Sequence, residues 1–222
     1  MTDGDTSTDR TDRAAFVRSY APLAPVELIP ELQLHQAPSQ VGLWELGGGA
    51  FHSDQPPPFW AFAWPGGVAL ARHVLDQPDT VRGGRVLDLA AGSGIVAIAA
   101  ARAGAATVLA SEVDPDAVAA IGVNAAANNV AVTAALADVL DTAGTGFDTV
   151  LVGDGFYQQA MARRMLAFLR RAAADGARVL VGDPDRAFLP QRLFDRLADY
   201  DVPVRKALED TDRQLTTVWQ LR

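Results

Sequence analysis

The chain has 222 residues, 49% hydrophobic and 21% charged, a balance that suits a globular protein with a full core and most simply one domain. Its 27 acidic against 19 basic residues leave a formal charge of -8, which disfavours nucleic acid as a partner because phosphate binding needs a basic face. Cysteine is absent, which excludes a disulfide framework, a thiolate metal site and a cysteine nucleophile.

Residues 1–13, MTDGDTSTDRTDR, are polar and acidic with few apolar side chains, and the expectation for them is a disordered tail with no secretory signal. No run of about 18 apolar residues follows, since Arg102 and Gly104 interrupt the Ala-rich stretch; no membrane partner is expected and a cytoplasmic location is the default. A single domain is expected over 14–222. Its first part, 14–63, reads as a segment that covers substrate or cofactor, with a short helix (AAFVRSY), an extended stretch (VELIPELQLHQ) and a loop punctuated by GGG at 47–49 and PPP at 56–58. From Trp64 a core begins with the helix WPGGVALARHVL, Pro65 sitting in its first turn where a missing N–H costs nothing.

The pattern is then regular. Strand RVLDLA, helix IVAIAAARAG, strand ATVLASE, helix PDAVAAIGVNAAANN and strand VTAALAD succeed one another, followed by strand FDTVLVGD, helix QQAMARRMLAFLRRAAA and strand ARVLVGD. A last helix is predicted over FLPQRLFDRLADY, before two strands, VPVRKALED and QLTTVWQLR, that can pair as a hairpin. Alternation of this kind predicts an α/β fold, Rossmann-like and doubly wound, with a seven-stranded mostly parallel sheet, helices on both faces and a C-terminal antiparallel strand.

The strongest local signal is VLDLAAGSGIVA, a buried strand, a glycine-rich turn and an immediate helix. Glycines let backbone approach a ligand at a helix N-terminus. Glu112, 18 residues beyond Gly94 at the next strand end, suits a ribose because its two oxygens can accept from both hydroxyls. GSGIVA also satisfies the dinucleotide pattern G-x-G-x-x-A, so the loop alone leaves a nicotinamide-dependent oxidoreductase or a non-catalytic nucleotide-binding module open. Asp88 weighs against a pyrophosphate, which it would repel, and for a ligand with an ammonium group, such as S-adenosyl-L-methionine. The series D-x-x-x-G-x-G followed by an acid resembles the class I methyltransferases, with Ala90 in place of their usual first glycine. That resemblance implies S-adenosyl-L-methionine as cofactor, S-adenosyl-L-homocysteine as product and no metal. It implies cofactor contacts from Trp64, Asp88, Gly92, Gly94, Glu112 and Asp138, the last toward the adenine amino group. Asp114-Pro115 reads more simply as a helix cap.

At the fourth strand end Asp154, Gly155, Phe156 and Tyr157 resemble the D-x-x-Y/F motif of seven-strand protein-lysine methyltransferases, which also carry an upstream Trp-Pro, here Trp64-Pro65. PELQLHQ, PFWAFAWPGGVALARHVL, DLAAGSG, GDGFY, VLVGDPDR and TTVWQL, in that order, are similar to the electron transfer flavoprotein β-subunit lysine methyltransferases over nearly the whole chain. The resemblance implies an N-methyltransferase with that β-subunit as protein substrate, Asp154 and Tyr157 as catalytic residues holding the amine, and Phe156 beside them in substrate binding. Alternatives are a small-molecule amine N-methyltransferase and a ribosomal-protein lysine methyltransferase. The blander readings are Tyr157 as a core aromatic, Asp154 as the cap of the following helix, Trp60 and Phe62 as core, and Asp183-Pro184-Asp185 as a turn. His35, His52 and His73 show no metal-ligand spacing. Ala-, Arg- and Asp-rich usage with the single lysine Lys206 suggests a GC-rich bacterial genome.

Overall fold

The structure, a computed structural model, describes residues 5–38, 58–205 and 211–222, and only the backbone of 5–10. The loop signals GGG at 47–49 and PPP at 56–58 (Pro58 excepted), His52, Lys206 and the end of VPVRKALED lie outside the described residues.

In chain order the elements are α1 (Asp5–Tyr20), β1 (Leu23–Val26), β2 (Ile29–His35), α2 (Pro65–Asp76), β3 (Arg85–Leu89), α3 (Ile95–Arg102), β4 (Thr107–Glu112), α4 (Pro115–Ala127), β5 (Thr133–Leu136), β6 (Thr149–Gly153), α5 (Gln159–Ala174), β7 (Arg178–Asp183), β8 (Phe194–Pro203) and β9 (Arg213–Leu221). β1 and β2 form a separate antiparallel hairpin. The other seven strands make one sheet in the order β5-β4-β3-β6-β7-β9-β8. β3 to β7 pair in parallel, and β9 runs against both β7 and β8. The expected seven-stranded doubly wound sheet is therefore present, with β9 as its antiparallel member.

Period-two alternation within short aliphatic strands builds a core on each face. Val86, Leu151 and Leu180 point to one face, where they pack with α2, α3 and residues of the β1–β2 hairpin. Leu87, Leu89, Val150, Val152, Val179 and Val181 point to the other, against Met165, Phe168 and Leu169 of α5. A third cluster joins Val17, Trp60 and Phe62 to Ala117, Ala120 and Val123 of α4. Trp60 and Phe62 are thus core, as the blander reading had it. Asn124 of α4 and Asn128, which caps its C-terminus, replace strand partners for the hairpin. Asn128 accepts from the Gln33 N–H and donates to the Gln33 carbonyl, while Asn124 accepts from the His35 N–H and donates to the Ser93 carbonyl. The hairpin is thereby tied directly to the glycine turn.

Two expectations need correction. The first helix begins at Asp5, so residues 5–13 are helical rather than a disordered tail. Arg13 contributes by pairing with Asp116 at the start of α4, at 2.6 Å. The helix predicted over FLPQRLFDRLADY is a short 3-10 turn, Gln191–Leu193, followed by β8. β9 has hydrogen-bonding edges on both sides, and β8 supplies its outer partner. A register irregularity between Arg196 and Ala198 leaves Leu197 exposed. That irregularity breaks the alternation which would have marked a strand. Among the described residues, no helix is long and apolar enough to cross a membrane.

Candidate active site

A cavity of about 590 Å³ opens at the carboxyl ends of β3, β4 and β6, within the ~300–1,000 Å³ usual for small-molecule sites. The sheet order places β3 centrally, between β4 and β6, where chain connections diverge to either side; such a switch point leaves a crevice above the strands.

On the β4 side the cavity is built around acids with backbone partners. The turn after β3 takes Gly92 through a left-handed conformation (φ 52°), and its N–H donates to Glu112 Oε2 at 3.0 Å. Glu112 Oε1 accepts from the Val113 N–H at 2.7 Å. Asp114 caps α4 by accepting from the Asp116 N–H at 2.8 Å, which is the simpler of its two readings. Beyond β5, Asp138 accepts from the Leu140 N–H and from Arg164 at 2.9 Å. Partial burial opposes its charge, yet these donors hold its carboxyl below the usual range.

The β6 side is built differently. Asp154 follows β6 in a left-handed conformation (φ 55°), its N–H donating to the Gly182 carbonyl at 3.0 Å. The turn aims the carboxylate at the start of α2. Oδ2 accepts from the Gly67 N–H at 3.0 Å, and Oδ1 accepts from the Arg186 guanidinium at 3.1 Å. Only glycine fits at position 66, because a Cβ there would lie 2.3 Å from the Gly182 oxygen and 2.6 Å from Asp154 Oδ2. The WPGG motif therefore brings the positive end of a helix onto a carboxylate. Burial still raises Asp154 to about 6, against the pull of Arg186 and the glycine N–H groups. Asp183, at the end of β7, is buried and accepts from the Arg186 N–H at 2.6 Å. Burial, and then the charge of Asp154, raise it to about 7.

Between the two sides stands an aromatic wall. Phe59 packs against Trp64 (5.9 Å between ring centroids) and against Tyr157 (6.0 Å), and all three line the cavity. Trp64 is fixed by donating its indole N–H to the Phe59 carbonyl at 2.9 Å. Tyr157 is 48% exposed, so it is a lip residue rather than a core aromatic. Burial of its ring, together with the Glu112 charge, raises its hydroxyl pKa.

Of the residues singled out in the sequence, Trp64, Gly92, Glu112, Asp138, Asp154 and Tyr157 come together around this cavity. Three do not. Asp88 is 1% exposed and accepts from the Ala97 N–H at 2.9 Å, pointing into α3. Burial raises its carboxyl to about 8, which favours the protonated form at neutral pH. Gly94 is absent from the cavity lining; a Cβ there would meet Ile121 at 3.2 Å, so its role is to let α3 and α4 pack. Phe156 is fully buried among Leu87, Val152 and Phe194 on the α5 face, not in a substrate pocket. Asp154 does not cap α5, whose cap position is Gln158. Sequence reasoning missed Phe59, Arg164 and Arg186. Phe59 and Arg186 stood inside the quoted PFWAFAWPGG and VLVGDPDR stretches, so a signal existed for those two; Arg164 had none.

The model of the methyltransferase small domain family matches residues 65–181, more than half of the chain. An electron transfer flavoprotein β-subunit lysine methyltransferase from Rattus norvegicus is 38% identical over 86% of this chain and 77% of its own length. One from Xenopus laevis is 35% identical over 96% of this chain and 88% of its own. Their animal sources give no support to a bacterial origin. Among solved structures, a Thermus thermophilus 16S rRNA methyltransferase in complex with AdoMet and guanosine superposes with a TM-score of 0.54 at 22% identity, covering 91% of this chain and 50% of that one, which bears on the fold alone. The chain is a methyltransferase and belongs to the family of the electron transfer flavoprotein β-subunit lysine methyltransferases.

Proposed function

We propose that this chain transfers methyl groups from S-adenosyl-L-methionine to a lysine ε-amino group of a protein, with the electron transfer flavoprotein β-subunit, named for its relatives, as the substrate. The observation that carries this reading is the pairing, across one cavity, of a ribose-type acid, Glu112, with a helix-anchored carboxylate at an aromatic lip, Asp154. The donor set fits the cofactor, since Glu112 lines the cavity while its oxygens are oriented by the Gly92 and Val113 N–H groups, ready to accept from two hydroxyls. Asp138 is assigned the exocyclic adenine amine, a role supported by its place in the cavity lining beside Trp64 and Gly92. Bound there, the sulfonium supplies an electrophilic methyl group for in-line displacement.

Alignment of the amine is the protein's main task. Asp154 accepts a hydrogen bond from the amine and fixes its lone pair toward the donor. Tyr157 and Phe59 exclude water around it. A lysine has a pKa of about 10.4 and is neutral in roughly one molecule in a thousand at neutral pH, so removing water helps expose the reactive form. With a pKa of about 6, Asp154 is too weak a base to deprotonate an ammonium outright. It positions, and water carries the proton away. The N-terminal segment, 14–63, is the part proposed to cover bound substrate and cofactor. No nucleic acid, membrane or metal enters the proposal.

Intact-mass spectrometry of the purified β-subunit, incubated with the enzyme and donor, tests the reading. Mass increments of whole methyl groups are expected, and they are expected to vanish with Asp154→Ala. Donor binding without any added mass would remove the substrate and leave the cofactor in place.

A further inference from the structure

The acceptor side holds an electrostatic conflict. A carboxylate beside a lysine stabilises the ammonium, which cannot attack, and so works against the neutral amine it must position. The wall of Phe59, Trp64 and Tyr157 opposes this by desolvation, while the Asp154 carboxylate lines the same cavity. Arg186 sits on that charge. Its guanidinium donates to Asp154 Oδ1 at 3.1 Å, lines the same cavity and is partly exposed to it. An arginine keeps its proton at every accessible pH, so this is a fixed positive charge beside the place where the amine arrives.

The loop after β7 is constructed to hold it there. Asp183 accepts from the Arg186 N–H at 2.6 Å, Asp185 takes a left-handed backbone (φ 71°), and Gln214 donates to the Pro184 carbonyl at 3.2 Å. Among the described residues, the other charged or titratable groups at or beside the cavity come from several places. From the end of β7 comes Asp183, whose carboxyl burial raises to about 7; from the segment before α5 comes Tyr157. Across the cavity lie Glu112 and Asp114 near β4, Asp138 after β5, and Arg164 on α5, the last two paired with each other.

Resting on the methyltransferase reading above, we propose that Arg186 is a positioning residue that cancels the Asp154 charge, so that the acceptor site grips the uncharged amine and discriminates against the ammonium. Asp154 then contributes an acceptor lone pair without the field that would hold a proton on its guest. The competing account is a buried ion pair that only stabilises the fold. It predicts no change in how the site responds to a cationic amine.

The experiment compares wild type, Arg186→Gln and, as a second uncharged variant that keeps the aliphatic bulk, Arg186→Met. Calorimetry on the full chain measures the affinities of S-adenosyl-L-homocysteine and of sinefungin, the donor analogue with an amine-bearing carbon in place of the methylsulfonium. The ratio of the two cancels the shared cofactor contacts and reads how the acceptor end treats an ammonium. At neutral pH that ratio is expected to shift by about tenfold toward sinefungin when the guanidinium is removed, with Arg186→Lys close to wild type. An unchanged ratio in variants that bind both nucleosides overturns the inference and leaves the proposed function standing. Failure of wild type to bind either nucleoside overturns both. In turnover, the half-maximal pH of methylation is expected to rise by about one unit in Arg186→Gln. A loss by the same factor at every pH would reduce Arg186 to a structural support.

Discussion

Acids at neighbouring strand ends of this sheet are held in opposite ways. Glu112, at the end of β4, and Asp138, beyond β5, line the open side of the cavity, with backbone N–H groups and, for Asp138, the surface Arg164 as partners. Asp154 and Asp183, beyond β6 and β7, are buried, and burial drives both upward, to about 6 and about 7. The same side chain type thus serves as a charged hydrogen-bond acceptor on one side and as a desolvated, charge-compensated one on the other. The physical difference is the glycine contact between α2 and the ends of β6 and β7, which closes one side to water.

The largest effects should follow from crossing the two sides. Asp154→Asn is expected to lower methyl transfer by about 100-fold, because an amide donates where the amine must donate and the approach is misaligned. Its affinity for S-adenosyl-L-homocysteine should stay at the wild-type value. Glu112→Ala should do the reverse, weakening that affinity by roughly 10- to 100-fold through loss of charge-assisted hydrogen bonds. Calorimetry and single-turnover assays on both variants would show it. Equal losses of binding and turnover in either variant would break the division of labour.

Asp88 supplies a second test, on stability. Its folded pKa, about 8, lies above the unfolded value, so folding takes up a proton at neutral pH. Its contribution is fully present below about pH 4 and is lost as the pH rises toward 8, at roughly 1.4 kcal/mol per pH unit where the difference is complete. Asp154 and Asp183, also raised, act in the same direction. Asp88→Asn, which carries no titrating proton, should therefore gain stability relative to wild type from about pH 4 to about pH 8, the gap between the two shifting in its favour. Denaturant midpoints at several pH values measure this. A gap independent of pH would mean that Asp88 is charged in the folded protein and return it to the list of ligand contacts.

The burial of Asp88 shows what sequence order conceals. Alternation along RVLDL puts Val86 and Asp88 on the α3 face and Leu87 and Leu89 on the α5 face, so the side on which Asp88 lies was legible; the 2.9 Å contact that consumes its oxygen was not. Glu112 and Asp138 were legible because they stand at or just beyond the ends of mostly apolar strands, where a carboxylate has no packing role. Phe156 and Tyr157 are adjacent in an irregular turn, where no period decides which ring faces inward. The contact of Arg186 with Asp154 became visible only once β6 and β7 were paired, since 32 residues separate the two. β8 was hidden by its bulge. The polar half of α1 has no apolar stripe to announce a helix; it continues the turn set by Ala14–Tyr20, whose Val17 packs near α4.

The smallest expected effect belongs to the Tyr157 hydroxyl, and it sharpens the comparison at the boundary between the two sides. The ring stacks near Phe59 and is half exposed, so its area, rather than its hydroxyl, excludes water. Tyr157→Phe keeps that area. If the hydroxyl only completes the lip, KM for the protein substrate should rise by roughly 2- to 10-fold, the worth of one neutral hydrogen bond, with kcat little changed. Tyr157→Ala would expose the amine to water as well, and its loss should fall mainly on kcat. Should Tyr157→Phe instead lower kcat as severely as Tyr157→Ala, the hydroxyl itself would touch the reacting amine. Asp154 would then share the task of orienting the lone pair with a residue from the open side, and the boundary between donor and acceptor halves would run through Tyr157 rather than beside it.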